Sequence, residues 1–153
     1  MAKRYLFLLL LTMTALMAAC ESLGVGQQQP TPIPFALFTA QDVIQAFSTA
    51  GLEVQAVQRD MAVGRGAPNT FSERYVFEIP RIAPAGGQIL VFQTQEDLDA
   101  WQNYIAQLRA DSSTRREVVY VYVKNNVMLQ VNANLTTQEA RAFENALENL
   151  TID

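Results

Sequence analysis

The chain has no histidine in 153 residues and a single cysteine, Cys20. Zinc sites of the His/Cys type are therefore excluded, as are nucleophilic triads that need an imidazole or a thiolate. With one cysteine no intramolecular disulfide can form, so the fold must rest on its apolar core. Basic residues are also scarce, 11 against 15 acidic ones. Nucleic acid is not an expected partner, because phosphate binding draws its affinity from clustered lysine and arginine. No stretch matches the Asp-x-Asn/Asp-x-Asn/Asp-Gly loop of an EF-hand, and no metal ion or cofactor is expected. Long hydrophobic runs are missing too. The apolar segment at 5–19 falls short of the ~20 residues needed to cross a hydrocarbon core.

What is present at the amino terminus is an export pattern. Lys3 and Arg4 form a basic start, the apolar run follows, and Met17-Ala18-Ala19 places small or unbranched side chains just before Cys20. Met17-Ala18-Ala19-Cys20 resembles the lipobox of bacterial lipoproteins, with methionine where that family prefers leucine. The resemblance implies a diacylglyceryl thioether on Cys20, removal of residues 1–19, and an extracytoplasmic protein held to a membrane by acyl chains. Each buried methylene contributes about 0.8 kcal/mol, so two or three chains anchor firmly. Glu21 stands where aspartate retains many lipoproteins at an inner membrane, so the outer membrane is the expected destination in an organism that has one. Without Lys3 and Arg4, 9 of the 11 basic residues face 15 acids, a formal net charge of −6. Such a surface repels anionic lipid, which leaves the acyl chains to hold the protein without electrostatic help.

Residues 20–37 read as a lipidated tether, polar at Gln27-Gln28-Gln29 and then stiffened by Pro30, Pro32 and Pro34 into an extended spacer. Residues 38–153 are long enough for one domain and too short for two.

Three helix starts repeat one device, a threonine followed three residues later by an acid: Thr39 with Asp42, Thr94 with Asp97, Thr136 with Glu139. The first helix carries Val43, Ile44 and Phe47 on one stripe, with Phe38 and Val43 placed as a hydrophobic staple, and stops at Gly51, where Leu52 can fold back on Phe47. The second presents Leu98, Trp101, Ile105 and Leu108. The third presents Ala140, Phe143, Leu147 and Leu150.

Strand signals lie between them. Residues 118–132 alternate around Lys124-Asn125-Asn126 and predict a hairpin. A three-residue loop with Asn126 left-handed would align Val119, Val121 and Val123 with Val127, Leu129 and Val131 on one face, and this register is expected. Residues 89–92 are continuously apolar after Gly86-Gly87, as in a central strand buried on both faces. Tyr75, Phe77 and Ile79 alternate with polar neighbours and end at Pro80; residues 53–58 are a weaker strand. The glycine-containing stretch 61–72 is expected to be a mobile loop. The order αβββαββα predicts an α+β two-layer sandwich: a mainly antiparallel sheet of about five strands with three helices on one face. The strand at 89–92, the next helix and the strand at 118–123 are candidates for a crossover with those two strands paired in parallel. The Gly51-Leu52-Glu53-Val54 helix exit, the Asn125-Asn126 hairpin and the terminal helix resemble small bacterial lipoproteins without an assigned activity.

No catalytic set is apparent. Glu96, Asp97 and Asp99 are accounted for by a helix cap and a solvated face. Glu73 and Glu78 with Arg74 and Arg81 read as exposed cross-strand ion pairs. Gly64-Arg65-Gly66 lacks the spacing and lysine of a phosphate loop, though Arg59 and Arg65 could face an anionic partner. In the expected register Tyr120, Tyr122, Met128, Gln130 and Asn132 point away from the helices as a contact surface, tyrosines with a polar rim. These residues suggest a non-enzymatic, lipid-anchored domain that binds a partner or supports an envelope assembly. The alternative is a ligand-sensing lipoprotein with a small pocket near the 61–72 loop, and a carboxylate-only enzyme ranks last.

Overall fold

The computed structural model describes residues 34–35, 37–111 and 120–152. The export segment, Cys20 and most of the tether lie outside the described residues, as do Val118 and Val119. Helix α1 spans Ala40–Thr49, strand β1 Gln55–Arg59, β2 Glu73–Glu78, β3 Gly86–Val91, helix α2 Gln95–Ala110, β4 Tyr120–Lys124, β5 Val127–Val131 and helix α3 Thr137–Glu148. The fold is α+β, in the order αβββαββα.

The caps behave as their residues dictate. Thr39 and Asp42 form a reciprocal capping box, as do Thr136 and Glu139, and the Thr94 hydroxyl accepts from the Asp97 N–H. Glu73 adds an acceptor for the Ala40 N–H at the start of α1 (3.2 Å). At the end of α1 the Leu52 N–H reaches the Phe47 carbonyl and the Gly51 N–H the Ser48 carbonyl, a Schellman motif in which Gly51 takes φ +70°.

The five strands form one antiparallel sheet in the order β1-β2-β3-β5-β4. Strand β3 is central, and Ile89, Leu90, Val91 and Phe92 are all buried. The expected parallel pairing of β3 with β4 does not occur. Strand β5 lies between them and pairs antiparallel with both, because the tight hairpin places β5 beside β4 and leaves its other edge free for β3.

Helices cover both faces of the sheet, which corrects the expected two-layer arrangement. Helices α1 and α3 pack on Phe77, Ile79, Ile89, Val91, Val127, Leu129 and Val131. Helix α2 packs on the opposite face, its Leu98, Trp101 and Ile105 meeting Leu90, Phe92, Met128 and Phe71. The continuous apolar character of 89–92 and 127–129 is the physical reason: alternate residues point to opposite faces, so both faces needed a cover.

The hairpin register differs from the expected one as well. Lys124 pairs with Val127, Val123 with Met128, Val121 with Gln130 and Tyr120 with Val131, around a two-residue turn. Asn125, not Asn126, takes the left-handed conformation, at φ 48°. Asn126 instead turns inward and is 1% exposed. Its Oδ1 accepts from the Leu37 and Phe38 N–H groups (3.1 and 2.9 Å), its Nδ2 donates to the Phe38 carbonyl (2.8 Å), and its own carbonyl accepts from the Phe92 N–H. The entry of the chain into the domain is therefore clamped to the hairpin tip.

Candidate functional site

The two-residue turn dissolves the expected contact surface. Tyr120 and Tyr122 lie half-buried on the α1/α3 face, packed against that core. The Tyr120 hydroxyl donates to the Leu135 carbonyl (3.3 Å) and sits 3.4 Å from Thr137 Oγ1. Burial, followed by the nearby charge of Glu144, pushes the Tyr122 hydroxyl above the usual tyrosine range. Met128 is fully buried against α2, while Gln130, on that same face, reaches a cleft and Asn132 lines a neighbouring hollow. Arg59 ends the edge strand β1 and Arg65 sits in the 61–72 loop, both exposed.

The acids and arginines are also placed differently from the expected cross-strand pairs. Arg81 pairs with Glu139 of α3 (2.5 Å), Arg74 with Asp60 (2.9 Å), and Glu78 accepts from Gln55. Hydrogen bonds from the Thr136 N–H and hydroxyl hold the Glu139 carboxyl below the usual glutamate range, with Arg81 adding to the effect. Asp97 belongs to its helix cap and Asp99 accepts from Gln95, so these two acids at the start of α2 are engaged within the helix. Among the described residues no cluster of acids could hold a metal ion.

The face beneath α2 is more informative. Its apolar part ends where Leu90 and Met128 give way to Gln88 and Gln130, directly opposed across β3 and β5. A polar ladder crosses three strands there. Arg74 Nε donates to Gln88 Oε1 (2.7 Å), and Gln88 Nε2 donates to Gln130 Oε1 (2.7 Å). Gln130 Nε2 ends the ladder on the Met128 sulfur (3.3 Å), a weak acceptor. Arg74 is seated by its other contacts: Nη1 donates to the Asp60 carbonyl (2.9 Å) and the Ala62 carbonyl (2.5 Å). Asp60 in turn accepts from the Ala62 N–H, and that bond, with Arg74 second, holds its carboxyl below the usual aspartate range. The expected mobile loop is thus fastened at 60–62 by Arg74. At its far end it is held by buried Phe71, edge-on to Trp101 at 6.0 Å, and by Ser72 on the Val91 carbonyl.

Between loop, ladder and helix lies a cleft of about 210 Å³, lined by Val63, Ala67, Arg74, Trp101, Tyr104 and Gln130 among others. A shallower hollow of about 310 Å³ continues over the sheet past Val76, Gly86 and Asn132, sharing Arg74, Gln88 and Gln130. One buried atom of a lining residue stands out. Trp101 is 3% exposed and its indole Nε1 is buried with no hydrogen-bond partner among the described residues. Buried indole N–H groups nearly always find an acceptor, and an unpaired one costs about 1–3 kcal/mol.

In the sequence Trp101 reads as a plain core residue and Arg74 as half of a surface pair. The signal that could have found the site was Gln88 and Gln130, two polar residues within otherwise apolar central strands. Comparison with protein-family models, curated proteins and solved structures finds no match.

Proposed function

We propose that this chain is a lipid-anchored extracytoplasmic domain that works by binding a small ligand, not by catalysis, with the cleft beneath the 61–72 loop as its site. The anchor rests on the lipobox-like Met17-Ala18-Ala19-Cys20. The observation that carries the binding reading is the preformed polar ladder of Arg74, Gln88 and Gln130, which lines a cleft with an apolar wall.

Catalysis fits the cleft poorly. Among the described residues its lining holds no carboxylate, so it offers no pair of acids for general acid/base work. The expected protein-contact surface on the hairpin loses its basis, since the tyrosines and Gln130 occupy opposite faces of the sheet.

Two experiments test the two halves. Labelling cells with an alkyne fatty acid should tag the native protein and fail to tag Cys20→Ser; equal labelling of both would refute the anchor. Protein purified from its native envelope and then denatured should release a small molecule in near-stoichiometric yield, with less than a tenth as much from Gln130→Leu. Empty protein at saturating envelope concentrations would refute the binding reading.

A further inference from the structure

One side chain holds two parts of the candidate site at once. Arg74 Nε donates to Gln88 Oε1 in the ladder (2.7 Å). Its Nη1 donates to the Asp60 and Ala62 carbonyls (2.9 and 2.5 Å) and pairs with the Asp60 carboxylate (2.9 Å). The Arg74 side chain is 14% exposed against 41% for Asp60, so the arginine is seated in the domain and the loop is the part free to leave.

The loop has few other holds at this end. Among the described residues, no backbone N–H from Met61 to Ala67 bonds to β1, β2 or α2: the Ala62 N–H turns back to Asp60 Oδ1, and the Ala67 N–H closes a turn on the Gly64 carbonyl (3.1 Å). Met61, Ala62, Gly64, Arg65 and Gly66 are exposed, while Val63 and Ala67 pack on the cluster around Trp101. A segment with so few buried contacts opens before the domain as a whole does. Val63, Gly64 and Ala67 also form part of the cleft wall, so release of the loop removes that wall.

The link to the ladder follows from hydrogen-bonding capacity. A guanidinium only donates, so Gln88 must turn Oε1 toward Arg74 and Nε2 toward Gln130 Oε1 (2.7 Å). An arginine drawn away with the loop frees both amides to rotate, and freed amides leave the arginine one acceptor fewer. Resting on the binding reading above, we propose that Arg74 is a latch coupling the seat of the 61–72 loop to the order of the Gln88–Gln130 ladder, so that a ligand enters with the loop released and is retained with it seated. The coupling is reciprocal: a ligand that orders the ladder tightens the loop, and whatever draws the loop away weakens the ligand by the same factor. Occupancy of the cleft is thereby passed to an exposed turn that carries Arg65, with Gly66 at φ +85°.

The full-length, nitrogen-15-labelled chain in detergent micelles tests the latch by nuclear magnetic resonance. Gln88→Leu removes an acceptor of Arg74 without touching the loop, and it should speed exchange of the Ala62 and Ala67 amides at least threefold while the amides of α1 and α3 hold. Gln88→Glu keeps that acceptor and should leave loop exchange within about twofold of the original. Asp60→Ala, made at the loop end, should shift the side-chain amide signal of Gln130, which lies two strands away from Arg74. Protein carrying Asp60→Ala and purified from its native envelope should release less than a third as much bound small molecule as the original.

Unchanged loop exchange in folded Gln88→Leu would overturn the latch, as would an unchanged Gln130 signal in folded Asp60→Ala. Equal loosening by Gln88→Leu and Gln88→Glu, or faster exchange in α1 and α3 to the same degree, would reduce Arg74 to a structural contact and overturn it too. The exchange readings need no ligand, so they judge the latch separately from the binding reading, which falls if the original protein comes from its envelope empty.

Discussion

The two faces of the sheet are built from the same strands and have opposite characters. The face under α1 and α3 is apolar from β2 to β4. Phe47, Phe77 and Phe143 meet there with ring centroids 5.1–6.2 Å apart, and the half-buried tyrosines extend the layer to the edge. The face under α2 is apolar only where the helix sits and polar beyond it, with a cleft and an unpaired indole at the junction. Packing fully explains the closed face. The open face retains groups that packing alone would have replaced with leucine, which is why the functional reading settles there.

The largest test of this contrast lies on the closed face. Phe47→Ala should cost about 3–5 kcal/mol in urea unfolding, because it leaves a cavity at the centre of the aromatic cluster. Asn126→Ala comes next, at about 2–4 kcal/mol, since it strands two N–H groups and a carbonyl at the chain entry. Its neighbour Asn125, exposed and left-handed, should lose only about 1 kcal/mol on change to alanine and little on change to glycine. Two adjacent asparagines would then differ severalfold in effect.

On the open face the effects on stability should be small and those on binding large. Gln130→Leu should change the unfolding free energy by less than about 1 kcal/mol, because a half-buried amide is exchanged for apolar volume beside Met128. The smallest effect is local and depends on pH. The folded pKa of Asp60 is depressed, so its contribution is fully present above the ordinary aspartate value near 4 and is lost as pH falls through the folded value. Exchange protection of the Ala62 amide should accordingly drop in acid before the global fold does, and it should be insensitive to pH in Asp60→Asn.

The helices and most strands were legible in the sequence because their signals are local: a threonine cap with an acid three residues on, Gly51 at a helix exit, Pro80 after a strand. The hairpin register and the placement of α2 were not. Alternation fixes register only when one face is wet. Here Val127, Met128 and Leu129 are buried on alternating sides, so a one-residue slip preserves hydrophobicity while reversing every side chain. The inward role of Asn126 depends on Leu37 and Phe38, nearly ninety residues earlier in the chain, which no local pattern could reveal. The cleft was anticipated only by its loop. Its donors come from β2, β5 and α2, and a linear reading does not bring those together.

Trp101→Phe tests the contrast most directly, by equilibrium unfolding followed with circular dichroism. Phenylalanine keeps most of the ring contact with Phe71 and Tyr104 and removes the unpaired N–H. Stability should stay within about 1 kcal/mol of the original chain or rise, since the lost area and the relieved polar group offset each other. A loss of more than about 2 kcal/mol would make the indole a structural prop like Phe47 and contradict the division of the sheet into a closed face and a binding face.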